Sequence, residues 1–564
     1  PISYRKNKNS SFLRSLSDPE LLGATDVQNY LAIYDRFFTL NESNWNSVNL
    51  NNTWELAAIS KQKGDKHFAG RAVSSDDKER KVSVHFKLSP LIDPMKYMTG
   101  KYADHEEGLF VLPNLSKDCY PKMNDVNNAA YVDSFFSYLT SRLLHTYGFV
   151  HGLDFYGSYL GIKQDFPFNV EEDIEYLYRS DFFHMHKDSR FRIDDAYYSD
   201  IMNDHSRRFK SKITLGKNIS NVSIASNSSI ERLNDLISSE EPGTGAGDDE
   251  GIDIVFNQES KASTSKRTSS SCSHCSSRSS ITDDEDDEQQ GIENGKGGGK
   301  DGGKDGGKDG GEGDDDDSDE DYDDSMDSSC SDVDVNVIID KFPVQIISLE
   351  ACEDTLDSLI ETDITPGEMV SALMQIIMTL ITYQKAFGFT HNDLHTNNIM
   401  YVPTEKQYLY YRYDDAYYKV PTFGRIYKII DFGRGIYRFK GHQFVSDSFG
   451  KEGDAATQYN MEPFMNSKKP RLDPNPSFDL CRLACSLFDV FVPVEQEQGD
   501  AKKADSEPQY DPVRELVEDW CSDDKGKNIL YKTQGEERYP DFKLYKMIAR
   551  TVHKHTPQAQ LERD

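Results

Sequence analysis

From Lys81 to Lys87 the chain alternates polar and apolar residues (Lys-Val-Ser-Val-His-Phe-Lys). The alternation predicts a strand with Val82, Val84 and Phe86 on one face, Lys81, Ser83, His85 and Lys87 on the other, and Lys87 at its close. Between Ala129 and Leu144 the period lengthens to that of a helix: Tyr131, Phe135, Phe136, Leu139, Leu143 and Leu144 form an apolar stripe, and Asp133 stands in the first turn. Phe342–Glu350 reads as a strand and Ala351–Ile360 as a linker running into a short helix. Thr365-Pro-Gly-Glu368 has the form of a capping box with an early proline. Met369, Val370, Leu373, Met374, Ile376, Ile377, Leu380 and Ile381 then recur at helical spacing up to Gly388. Ile399–Val402 and Tyr427–Ile430 predict two short strands, with Tyr408–Tyr418 as a hairpin between them that turns at Asp414 and Asp415. Helices are expected to start at Asn475–Ala484 and to occupy 511–520 and 535–550.

One long stretch breaks this pattern. From about Ser206 to Asp340, serine-rich runs lead into Asp283–Glu288, then Gly-Gly-Lys-Asp repeats, then Asp314–Asp321. Residues 240–340 hold 31 acidic and 8 basic side chains, so 23 of the 33 net negative charges lie there and the rest of the 564-residue chain is only mildly acidic. Such a composition buries too little apolar surface to offset the entropy of ordering, and a disordered acidic insertion is expected. A long insertion of this kind is tolerated at a surface connection, where its closure cost is low. Its functional reading is a segment that recruits basic proteins; a passive insert fits the composition equally well. The eight cysteines form no disulfide scaffold, which suits a reducing intracellular compartment. Cys272-Ser-His-Cys275 lacks the second half of a zinc site, so no metal is expected there. No run is apolar and long enough to span a bilayer, and neither a membrane nor a nucleic-acid partner is expected.

The chemistry concentrates in Phe389-Thr-His-Asn-Asp-Leu-His-Thr-Asn-Asn-Ile-Met400 and, some thirty residues on, Ile429-Ile-Asp-Phe-Gly433. Asp393 is placed to orient or deprotonate an acceptor hydroxyl, Asn398 offers a neutral oxygen to a metal, and Asp431 offers a hard anionic one. That set suits phosphoryl transfer, which needs alignment of the acceptor and neutralisation of spreading charge more than covalent help. Asn and Asp are also common turn residues after a helix, but the ordered pair of motifs between an apolar helix and two strands favours the chemical reading. The pattern His-x-Asp-x-x-x-x-Asn followed by Asp-Phe-Gly resembles the catalytic loop and metal-binding segment of the protein-kinase superfamily.

That resemblance implies an α+β, bilobal protein-kinase-like fold, with a small β-rich N-lobe and a mainly helical C-lobe. Residues 1–50 would be an N-terminal extension, 51–169 the first part of the N-lobe, 170–340 the insertion, 341–360 the last N-lobe strand and hinge, and 361–564 the C-lobe. It implies ATP and Mg2+ as cofactors. Lys87 would hold the nucleotide phosphates, with Asp133 as its partner in place of the usual Glu. The backbone from Glu350 to Cys352 would meet the adenine, Asp393 would be the base, Asn398 and Asp431 would bind metal, and Asp479 would tie down the catalytic-loop backbone.

Departures from the family pattern are as informative. Between Trp54 and Lys87 only Gly64 and Gly70 are available and no glycine-rich loop appears; Gly243-Thr-Gly-Ala-Gly247 lies beside Asp248, Asp249 and Glu250, whose charge would repel phosphate. His395 stands where protein kinases carry a lysine, as in kinases similar to the choline and aminoglycoside phosphotransferases. Asn392 replaces the arginine through which many protein kinases respond to phosphorylation, and the Ala-Pro-Glu ending is absent, with Met461-Glu-Pro463 a loose substitute. Activity is therefore expected not to depend on phosphorylation within Arg434–Pro476. Phe86–Pro94, Pro476–Ala484 and the C-terminal stretch are similar to divergent kinase-like proteins of giant DNA viruses, for which host cytoplasm or virion would be the location. Three functions follow: a serine/threonine protein kinase, which is preferred; a small-molecule kinase acting on an alcohol; or a pseudokinase scaffold that binds partners through its acidic insert.

Overall fold

Six strands form the framework of the N-terminal half: β1 (Ala24–Gln28), β2 (Trp54–Lys61), β3 (Phe68–Ser74), β4 (Glu79–Pro90), β5 (Phe155–Asn169) and β6 (Asn336–Glu350). They pair antiparallel in the order β1-β5-β6-β4-β3-β2, and Phe191–Arg192 adds a short seventh strand against Ile339 and Ile338 of β6. These relations come from a computed structural model that describes residues 2–6, 9–61, 67–170, 173–193, 335–362, 364–492, 511–533 and 535–563. All of them fall in one compact unit, Pro1–Ser279 with Val335–Asp564. The Ser-rich and acidic runs, the Gly243–Gly247 decoy and the Cys272–Cys275 pair lie outside the described residues.

β4 keeps the alternation of its sequence, with Val84 and Phe86 buried and Lys81 and Ser83 exposed, but it does not close at Lys87. It continues to Pro90, because Leu88, Ser89 and Pro90 pair with Ile346, Gln345 and Val344 of β6. The centre of the sheet is β6, flanked by β4 and β5 and buried on both faces from Phe342 to Ile347. β5 and β6 run on together as far as Asn169 and Asn336, and Phe166 stacks on Phe342 with ring centroids 5.1 Å apart. Residues 336–339, which composition assigns to the insertion, are thus paired. Within residues 1–50, β1 forms the sheet edge beside β5.

Helix α1 (Ala129–Tyr147) starts where the Asn128 side chain accepts the Ala130 N–H, and ends at Gly148, whose φ of 68° is open to glycine at no steric cost. It is buried along nearly its whole length, and Gln345 at the centre of β6 donates to both Ser134 of α1 and Ser158 of β5, which fixes helix against sheet by a buried polar link.

The C-terminal part is mainly helical: α2 (Leu356–Glu361), α3 (Pro366–Phe387), α4 (Phe478–Phe491), α5 (Pro512–Trp520) and α6 (Lys543–Thr551). The capping box at Thr365 and Glu368 is formed in both directions, and α3 stops at Gly388 in the left-handed region. Small antiparallel pairs surround α3: β7 (Ile399–Pro403) with β10 (Arg425–Ile429), β8 (Tyr408–Tyr413) with β9 (Ala416–Pro421), and β11 (Ile436–Phe439) with β12 (His442–Val445). Among the described residues no helix is long and apolar enough to cross a membrane.

Candidate active site

Three elements distant in sequence meet at Lys87. Its Nζ, on β4, lies 2.6 Å from Asp133 Oδ2 on α1 and 2.7 Å from Asp431 Oδ1, just beyond β10. The Asp133 side chain is 3 % exposed and that of Lys87 13 %, whereas Asp431 keeps 30 % and so faces open space. The second Asp133 oxygen accepts the Phe432 N–H at 3.0 Å, so a shorter acid than Glu spans the gap because α1 lies close to the Asp-Phe-Gly turn. Burial pushes both carboxyls up, and the Lys87 ammonium opposes it in each. For Asp431 the ammonium, helped by the Gly433 N–H, prevails and the carboxyl lies below its ordinary range; for Asp133 the Asp431 charge adds to burial and the carboxyl lies above it.

The loop after α3 is built as a rigid platform. Asp479, fully buried near the start of α4, accepts the backbone N–H groups of His391 at 2.9 Å and Asn392 at 3.0 Å. Asn392 has φ 72°, a conformation its side chain supports by donating to the Arg434 carbonyl. His391 bonds the Ile430 carbonyl at 2.7 Å through Nε2, while its Nδ1 accepts the Asp393 N–H at 3.1 Å. At the far end, Asp357 of α2 accepts from Thr396 Oγ1 at 2.5 Å and Asn397 Nδ2 at 3.2 Å. Beneath lies an aromatic stack: Phe136 of α1 is parallel to Phe389 at 4.0 Å and edge-on to Phe432 at 4.8 Å, and each such pair adds about 1 kcal/mol.

On this platform Asp393, His395 and Asn398 come together. Asn398 Nδ2 donates to the Asp393 carbonyl at 2.8 Å and lies 3.1 Å from His395 Nε2, which leaves its Oδ1 without a donor among the described residues. Burial pushes the His395 imidazole down to about 4, against the pull of Asp393, so it is neutral near pH 7. The Asp393 carboxylate is buried to 15 % exposure, with Oδ1 lacking a hydrogen bond; the nearest positively charged or imidazole nitrogens are His395 Nε2 at 3.7 Å and Arg434 Nη1 at 3.9 Å. β7 and β10 bring Asn398 beside Asp431, since Ile399 pairs with Ile429 and the Ile430 N–H donates to the Asn398 carbonyl at 3.0 Å.

Among the described residues no three His, Cys, Asp or Glu side chains form a metal cluster. A hard cation here would take the free Asn398 Oδ1 and Asp431, with oxygens of a bound anion completing its shell, and both groups fit that use.

Glu350 and Cys352 stand apart from the two clusters. The Glu350 carboxylate pairs with Lys428 and accepts the Asp154 N–H at 2.7 Å, so its side chain serves the fold. The N–H groups of Glu350, Ala351 and Glu353 donate to the carbonyls of Asp154, Ser83 and Tyr401, while that of Cys352 donates to no acceptor among the described residues. Burial pushes the Cys352 thiol up to about 12, which leaves only its backbone for recognition.

Sequence reading missed Arg434 and Asp454, which form a buried pair beside Asp393, and Asp447, which pairs with Lys122 and accepts the Ala129 N–H at 3.0 Å at the start of α1. Arg434 carried a visible signal, a charged residue directly after Asp-Phe-Gly; the two acids lie in a loop without periodicity. No protein-family model matches the chain, and no curated protein matches it.

Proposed function

We propose that the protein is an ATP- and Mg2+-dependent phosphotransferase of protein-kinase-like fold, acting on serine or threonine hydroxyls of proteins. The observation that carries this reading is the convergence of Lys87, Asp133 and Asp431 within 2.7 Å of one ammonium, beside a loop whose Asp393 has a free buried oxygen. Support comes also from the order of parts along the chain, namely a strand with a lysine, a helix with its acid, a strand ending in a linker, and a loop pinned by Asp479. The Cys352 N–H, which donates to no acceptor among the described residues, suits an adenine edge.

In this reading Lys87 holds the phosphates, and Asp133 holds Lys87. Asp393 accepts a hydrogen bond from the acceptor hydroxyl and takes its proton, while the unpaired oxygen provides the place for it. Asn398 and Asp431 would hold magnesium, which when bound would supply charge neutralisation to the phosphates. Asp447 and Asp454 are carboxylates of the segment 434–476 that already bind Lys122 and Arg434, so that segment is held without added phosphate.

A small-molecule kinase is the second reading, favoured by the neutral His395 where a cation would otherwise steady the phosphoryl group. Incubation of the purified protein with radiolabelled ATP and magnesium tests both. Label on serine or threonine of polypeptides supports the first, label on choline-like or aminoglycoside alcohols alone supports the second, and no transfer to any acceptor contradicts phosphotransfer. Phosphatase treatment is expected to leave the rate unchanged.

A further inference from the structure

The Asp393 carboxylate sits between two nitrogens, each separated from it by more than hydrogen-bond length. His395 Nε2, at 3.7 Å from Oδ1, receives the Asn398 amide Nδ2 at 3.1 Å and so has no proton to offer. Arg434 Nη1, at 3.9 Å from Oδ2, is different: it is a permanent cation, and its other terminal nitrogen, Nη2, is paired with Asp454. Arg434 is held at three points. Asn392 donates to its carbonyl, Gly435 N–H closes a turn onto the Phe432 carbonyl at 2.8 Å, and Asp454 grips the guanidinium, whose side chain is 10 % exposed. Asp454 is fixed in turn by its neighbours. Ala455 N–H donates to the Ser448 carbonyl at 2.8 Å, and a Cβ at Gly453 would lie 2.2 Å from that same carbonyl oxygen, so only glycine permits the approach.

A buried cation that is anchored on one side, and stops short of contact on the other, leaves a gap for a third group. We propose that Arg434 is a catalytic residue whose Nη1 donates to an oxygen of the phosphoryl group in flight, with Asp454 as the positioning residue that aims it. This inference rests on the phosphotransfer reading above and deepens it. In the step, the acceptor oxygen forms a bond to the γ-phosphorus as the bond between that phosphorus and the bridging oxygen breaks. ADP leaves with the electron pair of that bond, and the hydroxyl proton passes to Asp393. Charge spreads over the equatorial oxygens of the phosphoryl group, and Arg434, already anchored by Asp454 beside Asp393, is a cation ready there without reorganisation.

The test compares wild type with Arg434→Ala, Arg434→Lys and Asp454→Asn. Arg434→Ala is expected to lower kcat about 100-fold with KM for ATP changed by less than about threefold, and millimolar guanidinium is expected to restore part of the turnover. ADP with magnesium and aluminium fluoride, which imitates the phosphoryl group in transfer, should bind wild type more tightly than ADP alone, and this gain should vanish in Arg434→Ala. Arg434→Lys should lie between, which keeps the test sharp if the alanine variant does not fold, and Asp454→Asn should lower kcat less than Arg434→Ala. Unchanged kcat in Arg434→Ala overturns the proposal, as does a loss of kcat without guanidinium rescue and with the aluminium fluoride gain intact. A wild-type protein that binds ATP and transfers no phosphate to any acceptor overturns the phosphotransfer reading itself, and is seen before any variant is made.

Discussion

The two charge clusters of the site differ in how far they are closed. Around Lys87 the contacts are short, 2.6 and 2.7 Å, and join strand, helix and Asp-Phe-Gly turn. Around Asp393 the flanking nitrogens stop at 3.7 and 3.9 Å, and one carboxylate oxygen is buried without a hydrogen bond. A buried polar atom left unpaired costs about 1–3 kcal/mol, so the second cluster carries a standing cost, whereas the first is satisfied by the protein alone. The closed cluster ties strand, helix and turn together; under the proposed function, the open one is where a substrate would complete the structure.

Substitutions on the two sides should separate these roles. The largest effect is expected for Asp393→Ala, with turnover falling by a factor of roughly 100 to 10,000 while thermal stability is retained within about 1 kcal/mol, read by steady-state kinetics and urea denaturation. Asp133→Ala should do the opposite in stability. It takes from a buried ammonium one of its carboxylate partners, and the urea midpoint should fall by the equivalent of about 3 kcal/mol. If Asp133→Ala proves as stable as wild type, the closed cluster is not what locks α1 to the sheet.

Protonation offers a third comparison, away from both clusters. His151 is fully buried, with Nδ1 on the Tyr427 carbonyl at 2.7 Å and Nε2 on the Tyr411 hydroxyl at 2.8 Å, and burial pushes it down to about 4. Because its folded value lies below its unfolded value near 6.5, the unfolded chain binds more protons in between. Its contribution is therefore full above pH 6.5 and is lost as pH falls toward 4, on the order of 3 kcal/mol in total. The slope of unfolding free energy against pH between 6.5 and 4 should be shallower in His151→Asn. The smallest effect is expected at Arg514 and Glu518, paired at 2.9 Å with both side chains nearly half exposed, where Glu518→Ala should change stability by less than about 0.5 kcal/mol.

What the sequence made legible was local. The capping box at Thr365, the stop at Gly388, the strand alternation leading to Lys87 and the stripe of α1 each follow from rules spanning a few residues, and each element is found in the structure. Asp133 was legible as an acid at the right place, and the structure brings it to Lys87. The strand beyond Lys87, the pairing of 336–339 with 166–169 and 191–192, and the edge strand at 24–28 were not, because each depends on a partner strand far along the chain. Arg434 and Asp454 show the same limit in the site, and Glu350 shows it beside the site. Their pairings, Arg434 with Asp454 and Glu350 with Lys428, span 20 and 78 residues, which no periodicity encodes.

The most direct test of the account is magnesium-dependent ATP binding by calorimetry, paired with phosphate transfer, in wild type, Asp393→Ala and Asp431→Asn. Wild type is expected to bind and transfer, Asp393→Ala to bind as wild type does but transfer at most about 1 % as fast, and Asp431→Asn to lose the magnesium-dependent part of binding. Equal binding and equal turnover in all three would contradict the account.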